Sequence, residues 1–348
     1  KTFVKQGHVS RKDLIWNDKK EDWVCAESYA ELMPVFERLE GNEVFSRRQI
    51  FAVASGKGGV GKTVLSTSIG IQLANLGHEV VIIDGDLAGP DLHTSLGILE
   101  PKYSFFDFYT LQKDSLNDIL LETPVKNLKI ISGACGSLGL ANPKYKHKQR
   151  FIRELKTLHA DYIIIDLGAG TSFDVIDFFL LADRPFLITV PEPTSVYEAF
   201  GFIKVCLWRA FFRKLKKRHP DALSILAKQE AFFHRNMNHT INDLKSKVAK
   251  VDKQAVEIIN SVLKSFKPRL ILNMVRESAD IKEGRAIQAA AKKLLSLQMK
   301  LVGHVSYDPQ VREAVMALTP ILLHAPKSKA AKEIAALVKK KLLRNDDN

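Results

Sequence analysis

The sequence predicts an α/β fold: a doubly wound, mainly parallel sheet, with a helical insertion and a small N-terminal extension. Three observations support this. Short, almost wholly apolar runs recur at residues 50–54, 80–83, 162–167, 184–190 and 269–275, as expected of strands buried on both faces. Helical periodicity lies between them, giving the alternation of crossover units. Polar residues with chemical potential cluster where the runs end, and the carboxyl ends of strands are where open α/β sheets bind ligands.

The first run enters FAVASGKGGVGKT, Phe51 to Thr63, and a helical pattern follows at once. Gly56-Lys57-Gly58-Gly59-Val60-Gly61-Lys62-Thr63 satisfies G-x-x-x-x-G-K-[ST], the phosphate-cradling loop of P-loop nucleotide-binding proteins. Glycines let backbone N–H groups turn inward around phosphate oxygens, and the following helix start, at Lys62-Thr63-Val64, adds unpaired N–H groups and partial positive charge. Lys62 is suited to the β- and γ-phosphates of ATP, and the Thr63 hydroxyl to Mg²⁺.

Lys57, directly after the first glycine, is more than an ordinary loop of this kind needs. KGGVGKT resembles the deviant Walker A loop of the MinD/ParA family of P-loop ATPases. That resemblance implies a homodimer formed around ATP, with Lys57 reaching the partner's phosphates. Further motifs support it. Val80 to Ile83 run into Asp84-Gly85-Asp86, which resembles the family's switch I. The resemblance gives Asp86 the water-orienting role near Mg²⁺ and Asp84 an outer-shell role at the metal, with Pro90 and Asp91 continuing the pattern. Tyr162 to Leu167 resembles a Walker B strand, so Asp166 is expected to hold Mg²⁺ through water, and Gly168-Ala169-Gly170 matches switch II. No general-base glutamate follows, which suits slow, partner-stimulated hydrolysis. Asn273 and Arg276 match the family's N-x-x-R, with Asn273 expected on the adenine edge, and Asp308-Pro309 is expected to help close the purine pocket. PEPTS, residues 191–195, resembles the FlhG-like branch, and Thr194 and Ser195 read as the N-cap of the next helix.

Composition bounds the rest. A 46% hydrophobic and 26% charged chain of 348 residues is globular, with room for one large domain or two smaller ones. No window approaches 18 uninterrupted apolar residues, so no spanning helix is expected. Cys25, Cys135 and Cys206 are far apart and form no C-x-x-C, so neither a zinc ribbon nor a redox pair is indicated. A cytoplasmic setting fits, with a peripheral place at the inner face of the membrane left open. The net charge of +13 suggests an acidic partner.

Residues 1–46 stand outside this pattern. V-S-x-x-x-L-I-W followed by D-W-x-x-A resembles the second half of a GYF-type domain, a module that binds proline-rich peptides or other proteins; a linker follows at 37–48. The nucleotide-binding domain is expected over 49–343. Within it residues 205–267 depart from the family. They hold fourteen Lys and Arg against five acids, a net +9 of the chain's +13. Leu207, Trp208, Phe211, Phe212 and Leu215 lie beside RKLKKR. Three readings stay open for this insertion: a helical hairpin packed on the core, a surface for an anionic membrane or a protein, or one for DNA. The last segment, 328–348, is an amphipathic helix whose stripe of Ile334, Leu337, Val338 and Leu342 is expected to pack on the sheet rather than on a membrane.

Overall fold

The structure, a computed structural model, describes residues 14–17, 22–29, 31–33, 48–86, 89–133, 145–216, 218–235 and 240–343. The chain divides into two units, residues 1–48 and 49–348. In the first, β1 (Leu14–Asn17) pairs antiparallel with β2 (Asp22–Cys25), setting Trp16 opposite Trp23, and a 3-10 turn, Ala26–Ser28, follows. The other residues that carry the GYF-type resemblance lie largely outside the described ones.

The second unit begins with β3 (Gln49–Ser55), α1 (Lys62–Asn75), β4 (Val80–Gly85), α2 (Phe105–Tyr109), β5 (Leu121–Glu122) and β6 (Leu128–Ile131). It continues with α3 (Tyr145–Glu154), β7 (Tyr162–Ala169), α4 (Phe173–Leu181), β8 (Arg184–Thr189) and α5 (Pro193–Leu215). The insertion supplies α6 (Pro220–Arg235), α7 (Ile241–Ala249) and α8 (Lys253–Ser265). Then come β9 (Arg269–Val275), α9 (Ile281–Leu295), β10 (Lys300–Ser306), α10 (Pro309–Met316), α11 (Ile321–His324) and α12 (Lys329–Leu337).

The strand order is β10-β9-β8-β3-β7-β4-β6-β5, parallel throughout except for the short β5 edge. Successive residues of one strand feed opposite cores. Ala52, Ala54, Ile163 and Ile165 face α4, α5 and α9; Phe51, Val53 and Ile164 face α1 and α12. Burial on both faces is why the strands read as unbroken apolar runs. Register matters most at β7, where Asp166 pairs with Val53 on one side and Asp84 on the other. The two carboxylate positions are thereby neighbours at the same end of the sheet.

The insertion resolves one of the open readings. Leu207, Trp208, Phe211 and Leu215 are all at most 2% exposed and belong to the core. These four therefore meet neither lipid nor bases; α6 and α8 pack along α5, and Phe212 is partly buried against the same core. A helix has to bury an apolar stripe against something, and here the added helices supply the cover. Pro220 does separate two helices. The terminal stripe is buried as expected: Ile334, Leu337, Val338 and Leu342 join the core of α1, and the Arg184 guanidinium donates to the Leu342 carbonyl. One expectation fails. Helix α5 starts at Pro193, so its N-cap is Glu192, not Thr194 or Ser195. Proline is already set for the first helical turn and draws the start forward. The Ser195 hydroxyl instead bonds Thr189 Oγ1 at 2.8 Å. No described helix is long and apolar enough to cross a membrane.

Candidate functional site: a phosphate loop beside two buried carboxylates

The loop between β3 and α1 has the form its glycines imply. Gly61 sits at φ +87°, and a Cβ there would stand 2.5 Å from the Asn273 side-chain nitrogen. Only glycine meets both demands. Helix α1 has no side-chain N-cap and no acid in its first turn. Its first N–H groups and positive end are thus left for an anion.

Asn273, at the end of β9, donates its side-chain N–H to the Val60 carbonyl at 2.8 Å. It therefore holds the loop in shape, a duty the sequence does not show. One N–H and the carbonyl of this amide are outside that bond. Nearby, the Arg276 guanidinium stacks over the Tyr307 ring at 4.1 Å. The Asp308 carboxylate caps α10 through Gln310 N–H and also accepts from Ala330 N–H; these backbone bonds, Ala330's foremost, hold its carboxyl below the usual range. Asp308 and Pro309 are thus first of all a helix start, with the side chain committed to capping.

Beside the loop, Asp84 and Asp166 are 0% and 2% exposed. Burial, helped by the neighbouring Asp166 charge, pushes Asp84 well above the carboxylate range, and its two oxygens accept from Asp86 and Leu92 N–H. Asp84 thus organises the strand of backbone that follows it and does not face outward. Burial pushes Asp166 up to about 6, against the opposing pull of hydrogen bonds from Thr63 and Ser66 and of the Lys62 charge. Ser66, one turn along α1 from Thr63, bonds Asp166 Oδ1 at 2.8 Å. Thr63 Oγ1 also reaches Asp91 Oδ1 at 3.3 Å. Two carboxylates whose burial opposes their charge are suited to a cation, and oxygen donors of this kind suit Mg²⁺.

Asp86 lies against the backbone at the end of β7. A Cβ on Gly168 would come within 3.1 Å of its carboxyl group, while Gly89 N–H donates to Asp86 Oδ1 at 3.1 Å. The first and second switch-like segments therefore touch through Asp86. Lys57 sits on the lip of the loop, with Nζ 3.3 Å from Glu192 Oε2 and 3.2 Å from Thr194 Oγ1. Its side chain is 41% exposed.

The site residues expected from sequence thus lie at the carboxyl ends of β3, β4, β7, β9 and β10. Ser66, Glu192 and Tyr307 were missed. Ser66 was legible, one helical turn beyond Thr63; the other two lie far along the chain from their partners.

A family model described as the CobQ/CobB/MinD/ParA nucleotide binding domain matches residues 51–321. The chain belongs to this family. Among its relatives is the antiactivator FleN of Pseudomonas aeruginosa, 25% identical over 295 residues, spanning 84% of this chain and 85% of that protein. The septum site-determining protein MinD of Thermotoga maritima is 31% identical over 153 residues, 43% of this chain and 55% of that protein. Among solved structures, MinD of Pyrococcus horikoshii complexed with Mg-ADP superposes with a TM-score of 0.56 at 20% identity, covering 85% of this chain and 97% of that one. MinD in the MinC:MinD complex of Aquifex aeolicus gives 0.57 at 19% identity, covering 85% and 96%. At these identities the structural likeness shows the MinD/ParA fold, and the sequence motifs carry the rest.

Proposed function

We propose that this MinD/ParA-family protein is an Mg-ATP-dependent dimerising ATPase switch whose output is positional, setting the place or number of a cellular structure such as a flagellum or division site. The observation that carries the reading is Lys57: a second loop lysine whose ammonium lies at an exposed lip, beside the surface carboxylate of Glu192. The names of the relatives, an antiactivator and septum site-determining proteins, support the positional part.

Bound Mg-ATP supplies the scissile phosphoanhydride and a Lewis acid. The chain supplies the rest. The loop N–H groups and Lys62 bind and orient the phosphates, and Thr63 and Asp166 would hold the metal, Asp166 through water. Asp84 fixes the turn that carries Asp86. Asp86, pressed against Gly168, orients the attacking water. Lys57 of one subunit neutralises charge developing on the other subunit's phosphates. Asn273 keeps the loop in register and turns its remaining amide groups to the adenine edge, with Arg276, Asp308 and Pro309 bounding that side.

Sedimentation with ATP, with ADP and without nucleotide tests this. The wild type is expected to dimerise with ATP and magnesium only. Lys57→Ala is expected to bind nucleotide yet stay monomeric. A Lys57→Ala chain that dimerises like wild type would overturn the mechanism.

A further inference from the structure

Helix α1 carries three buried hydroxyl residues in succession, Ser66, Thr67 and Ser68, each at most 2% exposed. Their hydroxyls are used differently. Thr67 Oγ1 donates back to the Thr63 and Val64 carbonyls of its own helix, the ordinary use of a hydroxyl inside a helix. Ser68 Oγ has no hydrogen-bond partner among the described residues. Ser66 Oγ leaves its helix and donates to Asp166 Oδ1 at 2.8 Å, at the end of β7. Two features bring it there. Ser66 is three residues beyond Thr63, so both hydroxyls lie on one face of α1. Gly70, four residues further along that face, lets the helix settle close on the sheet. A Cβ there would stand 2.5 Å from Ile82 Cδ1 on β4 and 3.5 Å from Ile164 Cδ1 on β7. A side chain as short as serine spans the gap that is left.

The bond has a geometric consequence. The last torsion of an aspartate is broad unless a contact fixes it. Ser66 pins Oδ1, and the burial of both partners keeps water from taking the hydroxyl's place. Thr63, one turn back, also bonds the Asp166 carboxylate. The carboxylate is therefore held between two hydroxyls of one helix face, one of them in the phosphate-loop motif and one beyond it.

We propose that Ser66 is a positioning residue for magnesium: it holds the Asp166 carboxylate in the orientation in which Asp166 and Thr63 serve the metal together. The inference rests on the reading of those two residues as magnesium-holding and adds to it a residue outside the loop motif. Ser66 plays its part through Asp166. Groups that orient a metal-holding side chain matter about tenfold to a hundredfold in metal affinity. Packing alone gives no reason for the hydroxyl, because the space beside β7 asks only for a small residue and alanine would fill it. A purely structural serine would also affect nucleotide binding with and without the metal alike. Ser68, equally buried on the same helix and without a hydrogen-bond partner, supplies the comparison.

Equilibrium binding of ADP to the full chain, in excess EDTA and in magnesium, tests this without any turnover, and melting temperatures under the same conditions give a second readout. The wild type is expected to bind ADP more tightly with magnesium, and the size of that gain is the quantity compared. Ser66→Ala should match the wild type in EDTA and lose about tenfold of the gain. Ser66→Cys, close in size and a weak donor, should lose part of it, and it carries the comparison if Ser66→Ala folds poorly. Ser68→Ala should keep the gain whole. A full gain in Ser66→Ala, an equal loss in Ser68→Ala, or a loss of ADP affinity in Ser66→Ala that is the same in EDTA and in magnesium would each overturn the proposal. Asp166→Asn separates the two levels of the argument. If it keeps the wild-type gain, the assignment of Asp166 to the metal fails and takes this inference with it. If it loses the gain while Ser66→Ala keeps it, that assignment stands and this inference alone falls.

Discussion

Asp166 is the residue on which the site's electrostatics turn. Its carboxyl is raised to about 6 chiefly by burial, and a raised acid favours the protonated fold. Its contribution to stability is therefore intact below about pH 4 and lost as pH rises to about 6. Above that the metal-free chain carries the cost of a buried charge, which a bound cation would offset. Asp166→Asn should therefore stabilise the nucleotide-free chain near pH 7.5, on the order of 2 kcal/mol, while removing the gain in melting temperature that magnesium and nucleotide give the wild type. Paired thermal melts with and without ligand check both halves. Gly168 makes a second prediction at this scale. A methyl group there meets the Asp86 carboxyl, so Gly168→Ala should slow phosphate release at least tenfold while nucleotide affinity changes little. Single-turnover hydrolysis set beside equilibrium binding separates the two.

At the scale of elements, the phosphate loop, the parallel strands and the placement of Asp84, Asp86 and Asp166 were legible because each rests on local pattern: glycine spacing, apolar runs, and acids at run ends. The Asn273 tether to Val60 and the Glu192 partner of Lys57 were not, because they join residues 213 and 135 positions apart. The insertion shows the same limit. Its aromatic-plus-basic helix was compatible with core, membrane or protein docking, and nucleic acid, with the core hairpin favoured, and the packing of α6 and α8 along it shows that the aromatic side faces inward. Trp208 then becomes a core residue. Trp208→Ala should cost about 3–5 kcal/mol in denaturant unfolding, as large-to-small changes in packed interiors do. A loss below about 1 kcal/mol would mean the insertion does not cover it.

Across the whole molecule, the fold separates two chemistries. The phosphate-loop motif, Asp84, Asp86 and Asp166 lie at the carboxyl ends of β3, β4 and β7, while exposed Lys214, Lys216, Lys250 and Lys253 lie where α5 and α7 end and α8 begins. The central claim is that Lys57 serves the partner's nucleotide, whereas Asp86 serves its own. Mixing Lys57→Ala chains with Asp86→Ala chains and measuring ATP turnover tests it directly. In a mixed dimer, the Lys57→Ala subunit keeps its own Asp86 and receives Lys57 from its partner. The account predicts turnover that neither variant shows alone; a mixture as inactive as its two components would contradict it.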